Sequence, residues 1–558
     1  MTEKKRTKLQ KKVEELAKYH IKKTTWDHIR DLSFALIFAL IIAVLVRQMW
    51  FEFYEIPTGS MRPTLKEKDR LVVSKTDFGI NIPLTTDHFY FDPNLAQRSS
   101  IFIFTGENMD IRDVDTLYFY IFPGKKQYIK RLMGKPGDTL YFYGGEIYGV
   151  DAAGHDISSE LQPPSLDKIE HVPFIHLEGK AIASPSNMQG IYSPVILYQM
   201  NEPIVKLALN GSRIEGTLLQ NKGVGDYANL WGIKNFATSR ILTKDQVVEF
   251  SEQGPAPLEK GELYLELRHS PSIENARMMR DEYGRLRPML GTATSILPLN
   301  EQHLRAIFDN LYTARFVVEN GFAKRYGSSQ RGGALASLPD VADGCYEFYY
   351  GKAYKVHWEG FTTELPLDHP LYTFNKERVQ LFYNLGIEFD THWAPRSKFQ
   401  QLLPSRYAYF RHGDLYLLGA PVMKKEDPLL VAYLEKEKTK KAPFIDAGPP
   451  LNADGTLNTE YIQKFGLRIP PKSYLALGDN HAMSADSRDF GFVPEGNVRG
   501  GPDFIFWPPG SRWGAPNQPP YPWINGPRVV VWIIAALSIW GWIYLQNRRN
   551  RAPLKFDK

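Results

Sequence analysis

A single cysteine, Cys345, stands among 558 residues. It rules out an intramolecular disulfide, a multi-cysteine zinc knuckle and a Cys-x-x-Cys redox pair. It does not fix a compartment, because a large core does without disulfides. The phosphate-cradling G-x-x-x-x-G-K-[ST] loop and the metal-binding H-E-x-x-H helix are also absent. Ser60 is followed three residues later by Pro63, which removes the S-x-x-K nucleophile pattern. The thirteen histidines are scattered, none in a close His/Asp/Glu group with ligand spacing, so no metal and no cofactor is expected. Residues 151–405 show no internal repeat and no chemical motif. Charge is nearly balanced, with 68 Lys and Arg against 62 Asp and Glu. What is present is apolar and aromatic residues, at 43% and 13%, enough to exclude a wholly disordered chain. The length allows two to four domains of about 100–200 residues each.

The net charge of +6 is not spread evenly. Residues 1–31 hold ten Lys/Arg and five Asp/Glu, and residues 546–558 hold five Lys/Arg and one acid. The 514 residues between them carry −3. Each basic end abuts an apolar run, which suits a membrane surface and argues against nucleic acid as a partner.

The first run, Leu32 to Val46, has no charge and resumes at Met49-Trp50-Phe51. A span needs about 20 residues, so the predicted transmembrane anchor is 32–51, with Arg47 snorkelling near its end. The second run predicts a transmembrane helix over 528–545, with Trp532, Trp540, Trp542 and Tyr544 as an interfacial belt. A buried core helix remains an alternative for either run, and a cleaved signal peptide for the first. Against cleavage, the basic region is thirty residues long, and Arg47-Gln48-Met49-Trp50 stands where a small-x-small site belongs. The positive-inside rule then puts both termini, 1–31 and 546–558, in the cytoplasm and residues 52–527 outside.

Between the spans, residues 52–154 read as strands and hairpins, among them Arg70–Val73, Ile101–Phe104 and Thr139–Tyr143 closed by Gly144-Gly145. Residues 155–405 are mixed α+β, helix-like near 300–325 and strand-like near 346–358. Tyr407–Met423 reads as β, Asp427–Lys441 as helix, and Tyr474–Phe506 as strand, glycine-rich loop and strand. Residues 508–527 contain seven prolines, and 511–527 read as a stiff stalk leading back to the membrane.

Three segments carry chemistry. Ile56–Leu65 fixes Ser60 in a loop with two prolines and a glycine; alone it reads equally as an ordinary turn after a membrane helix. Tyr128–Asp138 contains Lys130 and Arg131, which a strand points to opposite faces, one toward a core and the other toward water. On the buried face a lysine loses charge by desolvation and becomes available as a base; alone the segment also fits two solvated cations. Leu477–Pro494 is dense in Asp, Asn, Ser and Gly, as a structured loop or a cation site would be.

Together and in this order, Thr58-Gly59-Ser60-Met61 with Pro63-Thr64-Leu65, Tyr128–Arg131 with Gly134–Asp138, and Gly478–Asn480 with Ser484–Arg488 and Gly491–Pro494 resemble bacterial type I signal peptidase, the membrane-bound Ser/Lys endopeptidase family S26. Phe504–Trp507-Pro508 looks like that family's closing strand. The resemblance covers roughly 30–150 and 405–510, and it departs at Ser99-Ser100, His481 and Met483, where Gly-Asp, Arg and Asn are commoner. It implies a mainly β fold: a signal-peptidase-type β-sheet catalytic core in two parts, 52–154 and 406–510, with 155–405 as a large inserted α+β domain of unknown role and transmembrane helices at both ends.

It also implies catalytic Ser60 as nucleophile and Lys130 as base, acting through an acyl-enzyme. Thr58 and the Ser60 N–H would hold the oxyanion, Ser484 would orient Lys130, and Asp486 and Arg488 would pair to shape the last box around Gly478 and Asp479. The implied function is removal of signal peptides from exported preproteins at the outer (periplasmic) face of the bacterial inner membrane, Ser60 lying about nine residues beyond the first span. Partners are then preproteins and the lipid bilayer, with the export translocon left open. An inactive membrane-anchored scaffold, a self-cleaving repressor type of Ser/Lys protease, and an insertion acting as a binding module are the alternatives.

Overall fold

The computed structural model describes residues 10–11, 13, 25–111, 114–118, 120–173, 180–183, 194–210, 213–219, 223–250, 260–280, 286–327, 336–387, 406–510 and 512–551. Most of the basic segment 1–31 and the end of the basic tail 546–558 lie outside the described residues. By contacts the chain falls into two units: Met1–Glu52 with Val73–Ala96 and Tyr521–Lys558, and Phe53–Val72 with Gln97–Pro520.

The smaller unit contains the two apolar helices, Thr25–Met49 and Gly526–Arg551. Within them His28–Met49 and Gly526–Arg548, 22 and 23 residues, are long and apolar enough to cross a membrane. At 1.5 Å per residue they reach about 33–35 Å, against a hydrocarbon thickness of about 30 Å. Their large side chains, such as Phe34, Phe38, Ile533 and Trp540, are exposed, so protein packing does not account for their apolar character.

Both predicted spans need correction at their ends. The first helix starts at Thr25 and stops at Met49, and Phe51 already opens the strand Phe51–Glu55. The reason is local: the Trp50 carbonyl accepts from Lys75 N–H at 2.9 Å, and the Glu52 carboxylate pairs with both Arg47 and Lys75, the latter at 2.8 Å. Arg47 therefore has a protein counterion. The second helix begins at Gly526, two residues before 528, and runs past 545. Its first turn is fixed by Asn525 Oδ1, which accepts from Arg528 N–H at 2.8 Å, and by the Arg528 guanidinium, which reaches Asp77 at 2.6 Å and Ser74 at 2.9 Å.

The larger unit is built on a sheet in which Val498–Trp507, Ile101–Thr105, Gln127–Gly134, Ser473–Leu477 and Val493–Pro494 are neighbours in that order. The strand Gln127–Gly134 is central, antiparallel to Ile101–Thr105 on one side and to Ser473–Leu477 on the other. Segments that are distant in the chain are thereby brought side by side. The hairpin of Thr139–Tyr143 with Glu146–Val150 turns at Gly144-Gly145, whose φ values of 63° and 81° match a tight two-residue turn. The chain is mainly β, as expected.

Residues beyond the hairpin build a four-stranded and two six-stranded sheets. In one of these, Phe236–Leu242 pairs with Leu263–Arg280 and with Tyr407–Arg411, and the strands to Met423 follow. So Tyr407–Met423 is β, as predicted, but it extends a sheet begun at 236 rather than joining the sheet of Gln127–Gly134, because Tyr407–Tyr409 pair in register with Phe236–Thr238. The stretch near 300–325 is one helix, Glu301–Asp309, capped by Asn300, followed by a hairpin turning at Asn320-Gly321 with φ of 53° and 75°.

One apolar core joins Met133, Leu475 and Phe492 of the catalytic sheet region to Leu197, Val205, Trp231 and Phe236 of the inserted region. The two are packed as one body of side chains. A second core, containing Leu265, Leu304, Phe316, Phe348 and Phe410, lies wholly within 237–444. The part of the expected stalk that belongs to the larger unit is held to it: Arg512 pairs with Asp69, and Gln518 Oε1 accepts from Ile101 N–H at 2.7 Å.

Leu265 is fully buried in that second core. Leu265→Ala is expected to cost about 2–5 kcal/mol, seen as a lower apparent melting temperature and faster proteolysis within 155–445 of the solubilised protein.

Candidate active site

The loop Ile56–Leu65 is tied to the end of the sheet by backbone bonds. Ile56 N–H donates to Asp69 O at 2.8 Å, and Lys68 N–H to Ile56 O at 2.8 Å. The loop presents Ser60 to the central strand. Lys130 Nζ donates to Ser60 Oγ at 2.9 Å and to Ile129 O at 3.1 Å, with Ser60 6% and Lys130 5% exposed. Phe102 stands directly across the sheet from Lys130, and Phe104 and Tyr474 pack beside Phe102. Burial among these groups pushes the Lys130 amine down from 10.5 to about 8, with Asp486 and Asp479 pulling upward and Arg488 pushing downward. About a tenth of the amine is then neutral at pH 7, roughly 200-fold more than at the reference pKa near 10.4.

Arg131 points to the opposite face, as strand alternation requires, but it does not meet water. It is fully buried and grips Asp479 with two bonds of 2.7 and 2.6 Å. It also donates to Thr64 Oγ1 at 3.1 Å and to Ser99 O at 2.6 Å. The expectation that one of the two cations would be solvated fails because the last box supplies Arg131 with a buried counterion. This pair fastens the Ser60 loop, through Thr64, to the lysine strand and to the Gly478-Asp479 turn.

Ser99 takes a φ of 63°, a conformation glycine adopts freely, and its Oγ donates to Glu160 O at 2.6 Å. The departure from Gly-Asp at Ser99-Ser100 is thus accommodated by a side-chain bond. The turn at Gly134–Asp138 is held by Asp138, which accepts two bonds from Arg98 at 2.8 Å and one from Lys135 N–H at 2.8 Å.

In the last box, Asp486 accepts from Gly478 N–H at 2.9 Å and from Arg488 Nε and Nη2 at 2.7 and 2.6 Å. Asp486 thus joins Arg488 to the Gly478 backbone within the last box. Gly478 is fixed by space: a Cβ there would lie 2.1 Å from Ser484 Oγ and 2.6 Å from Ser60 O. Ser484 Oγ is buried beside it but makes no hydrogen bond, so the expected orienting contact with Lys130 is not formed in this structure. Thr58 is exposed, and its hydroxyl donates to Ser60 Oγ at 3.5 Å, placing it at the open side of the nucleophile.

Sequence reasoning assigned no role to Asn480. Its N–H donates to Ser60 O at 3.1 Å and its Nδ2 to Gly59 O at 3.2 Å, so it grips both residues of the nucleophile turn. Membership of the Gly-Asp-Asn box was the available signal. No group of three or more His, Cys, Asp or Glu placed to hold a metal is found among the described residues. Cys345 is half-buried in the inserted region, its thiol pushed up to about 11 by burial.

Comparison with known proteins bears on these segments. Residues 29–166 and 409–507 match the family described as "Signal peptidase, peptidase S26". The chain is similar to signal peptidase I of Pseudomonas fluorescens, 29% identical over 143 residues, covering 24% of this chain and 45% of that protein. It is 32% identical over 145 residues to signal peptidase I of Rickettsia bellii (strain OSU 85-389), covering 26% and 43%. Signal peptidase I T of Bacillus subtilis (strain 168) is 32% identical over 114 residues, covering 20% and 45%. The matched stretch spans less than half the length of each of these relatives.

Two outcomes follow from the geometry. Gly478→Ala must push Ser484 or the Ser60 carbonyl aside; such overpacking costs about 1–3 kcal/mol, which a lower apparent melting temperature would show. Lys130→Met tests the burial cost. The folded amine titrates below the unfolded one, so the unfolded chain holds more protons between about 8 and 10.5 and stability rises with pH across that window. The penalty of about 3 kcal/mol is fully present below that window. Lys130→Met is expected to raise the apparent melting temperature at neutral pH, with the gain shrinking near pH 11.

Proposed function

We propose that this chain, a member of the signal peptidase S26 family through residues 29–166 and 409–507, is a membrane-bound serine endopeptidase that removes N-terminal signal peptides from exported preproteins. The observation that carries the reading is the buried 2.9 Å contact between Lys130 Nζ and Ser60 Oγ, with the amine held near pKa 8.

In this reading neutral Lys130 takes the Ser60 hydroxyl proton as Oγ attacks the scissile carbonyl carbon. The tetrahedral oxyanion is met by the Ser60 backbone N–H and the Thr58 hydroxyl. The C–N bond then breaks, and the Lys130 ammonium returns its proton to the leaving amine. The resulting ester between Ser60 and the signal peptide is attacked by water, whose proton Lys130 accepts. The ester breaks, the proton passes to Ser60 Oγ, and the freed signal peptide leaves as a carboxylate. A lysine can act at both stages because its pKa lies close to neutral pH.

The two basic termini support a cytoplasmic location for both ends and an external location for the catalytic residues. Ser60 follows Met49, the end of the first apolar helix, by eleven residues, so chain length alone tethers the nucleophile within about 36 Å of that helix end. A substrate with its own apolar segment in the same bilayer presents its cleavage region there, extended and with small residues at −1 and −3, as strand addition requires. The intact dyad speaks against an inactive scaffold.

Detergent-solubilised wild type is expected to cut a preprotein after a small-x-small motif, and Ser60→Ala and Lys130→Ala to abolish the cut. Full activity in either variant would exclude the dyad. Because the neutral amine is the base, kcat/KM should rise about tenfold per pH unit up to about 8 and then level; a profile flat between pH 6 and 8 would remove Lys130 from that role.

A further inference from the structure

The residues just after the nucleophile are held by the inserted region. Glu347, on the strand Gly344–Tyr349, is 1% exposed. Its carboxylate accepts from Arg62 Nη2 at 3.0 Å, Lys66 Nζ at 2.5 Å and Arg315 Nε at 3.1 Å. Arg62 and Lys66 follow Ser60 by two and six residues. Arg62 also grips Glu67 through Nε and Nη2, at 2.8 and 2.5 Å, and Arg315 Nη1 donates to the Glu67 carbonyl at 2.8 Å. Three cations thus surround two carboxylates out of water. Burial would push the Glu347 carboxyl up, but Arg62, Lys66 and Arg315 together hold it far below the usual carboxylate range.

This cluster bears directly on the nucleophile turn. A Cβ on Gly59 would lie 2.8 Å from Glu67 Oε1, 3.0 Å from Met483 Cε and 3.1 Å from Arg62 Cδ. Gly59 is therefore wedged between the Arg62–Glu67 pair and Met483, and any shift of either reaches Ser60. Met483 in turn packs on Tyr312, Ala314 and Ile387 of the inserted region, and the His481 ring meets Tyr407 edge-on at 4.6 Å. The two departures of the last box, Met483 and His481, are thus among its contacts with the inserted region and with the strand after it.

We propose that Glu347 is a positioning residue for Ser60, gathering Arg62 and Lys66 so that the inserted region forms one wall of the nucleophile turn. The inference rests on the Ser60/Lys130 peptidase reading. Glu347 reaches no reacting atom itself and acts through Arg62, Glu67 and Gly59. Residues outside the matched segments thereby set the reactivity of a nucleophile inside them.

The test uses the full-length solubilised protein and a preprotein with a small-x-small site, with Ser60→Ala as baseline. Glu347→Gln keeps the shape but removes the charge, leaving three buried cations against Glu67 alone. Its kcat is expected to fall tenfold or more, with KM within about twofold and the loss persisting per folded molecule after size-exclusion selection. Arg62→Lys, which loses the fork, should reproduce the loss and serves in its place if Glu347→Gln does not fold. In the Arg62→Lys background Glu347→Gln should cost little more, because both act through one contact. Glu364→Gln, at an exposed position of the same sheet, is expected to leave kcat unchanged. An unchanged kcat in folded Glu347→Gln or Arg62→Lys, or a loss explained entirely by the unfolded fraction, overturns this inference alone. Absence of Ser60-dependent cleavage in the wild type overturns the peptidase reading and this inference with it.

Discussion

The larger unit is organised around the need to keep an amine out of water within reach of a hydroxyl. A lysine has four rotatable side-chain bonds and a strongly hydrated head. To hold it 2.9 Å from Ser60 Oγ, the protein must replace solvent with something that neither hydrates the charge nor lets the head wander. The central strand Gln127–Gly134 does this with the sheet itself. Phe102 across the ladder covers the stem, and the Ile129 carbonyl takes one of the ammonium hydrogens. The cost appears as the lowered pKa, and that same shift leaves more of the amine neutral. Destabilisation and the neutral amine are one quantity read in two ways.

An arrangement that disfavours its own charge has to be enforced by other parts of the structure. The enforcement lies on the opposite face of the same strand, where Arg131 and Asp479 make a two-bond buried pair. That pair adds little net stability, because desolvating two ions offsets most of their attraction, but losing one partner would cost about 3–5 kcal/mol. It is therefore a specifying contact: one register of the lysine strand against the last box satisfies both charges. Thr64, bonded to both partners, carries the registration to the Ser60 loop. Asp486 repeats the device one turn later, holding Gly478 N–H and Arg488 together.

The strands of the central sheet and the boxes that hold Ser60 and Lys130 were legible because their determinants are local. Ile101–Thr105 and Thr139–Tyr143 are apolar runs ended by glycine or polar residues, and Ser60, Lys130 and Gly478–Asn480 sit in boxes whose spacing survives a long interruption. The helix Pro428–Glu437 lies within the stretch Asp427–Lys441 read as helix, and Asp427 caps it with proline at the first helical position. Other features depend on partners hundreds of residues away. Nothing near Arg131 announces that Asp479 will bury it, and the pairing of Tyr407–Arg411 with Phe236–Thr238 is a match between edges distant in sequence. The span ends were misjudged because an apolar run reports only lipid compatibility, whereas the stop at Met49 is set by Lys75 and Glu52.

The inserted region poses a topological problem that the structure answers. Arg131 and Asp479 touch, yet they stand 348 positions apart in the chain. If all the residues between them were unstructured, closing that loop would add only a few kcal/mol, since the cost grows with the logarithm of length. Length is therefore not the difficulty. The difficulty is accuracy, because a loosely tethered last box would let Gly478 and Asn480 drift by the fraction of an ångström that separates a hydrogen bond from a clash at Ser60 O. A shared apolar core removes that freedom. Trp231 and Phe236 pack in one cluster with Met133 and Leu477, so the inserted region and both catalytic strands are positioned by common contacts. Once such a core exists, the insertion is mechanically part of the central sheet, and a buried acid of it, Glu347, can compensate the cations Arg62 and Lys66 that follow Ser60. An interruption that is costly as a linker becomes useful as a wall.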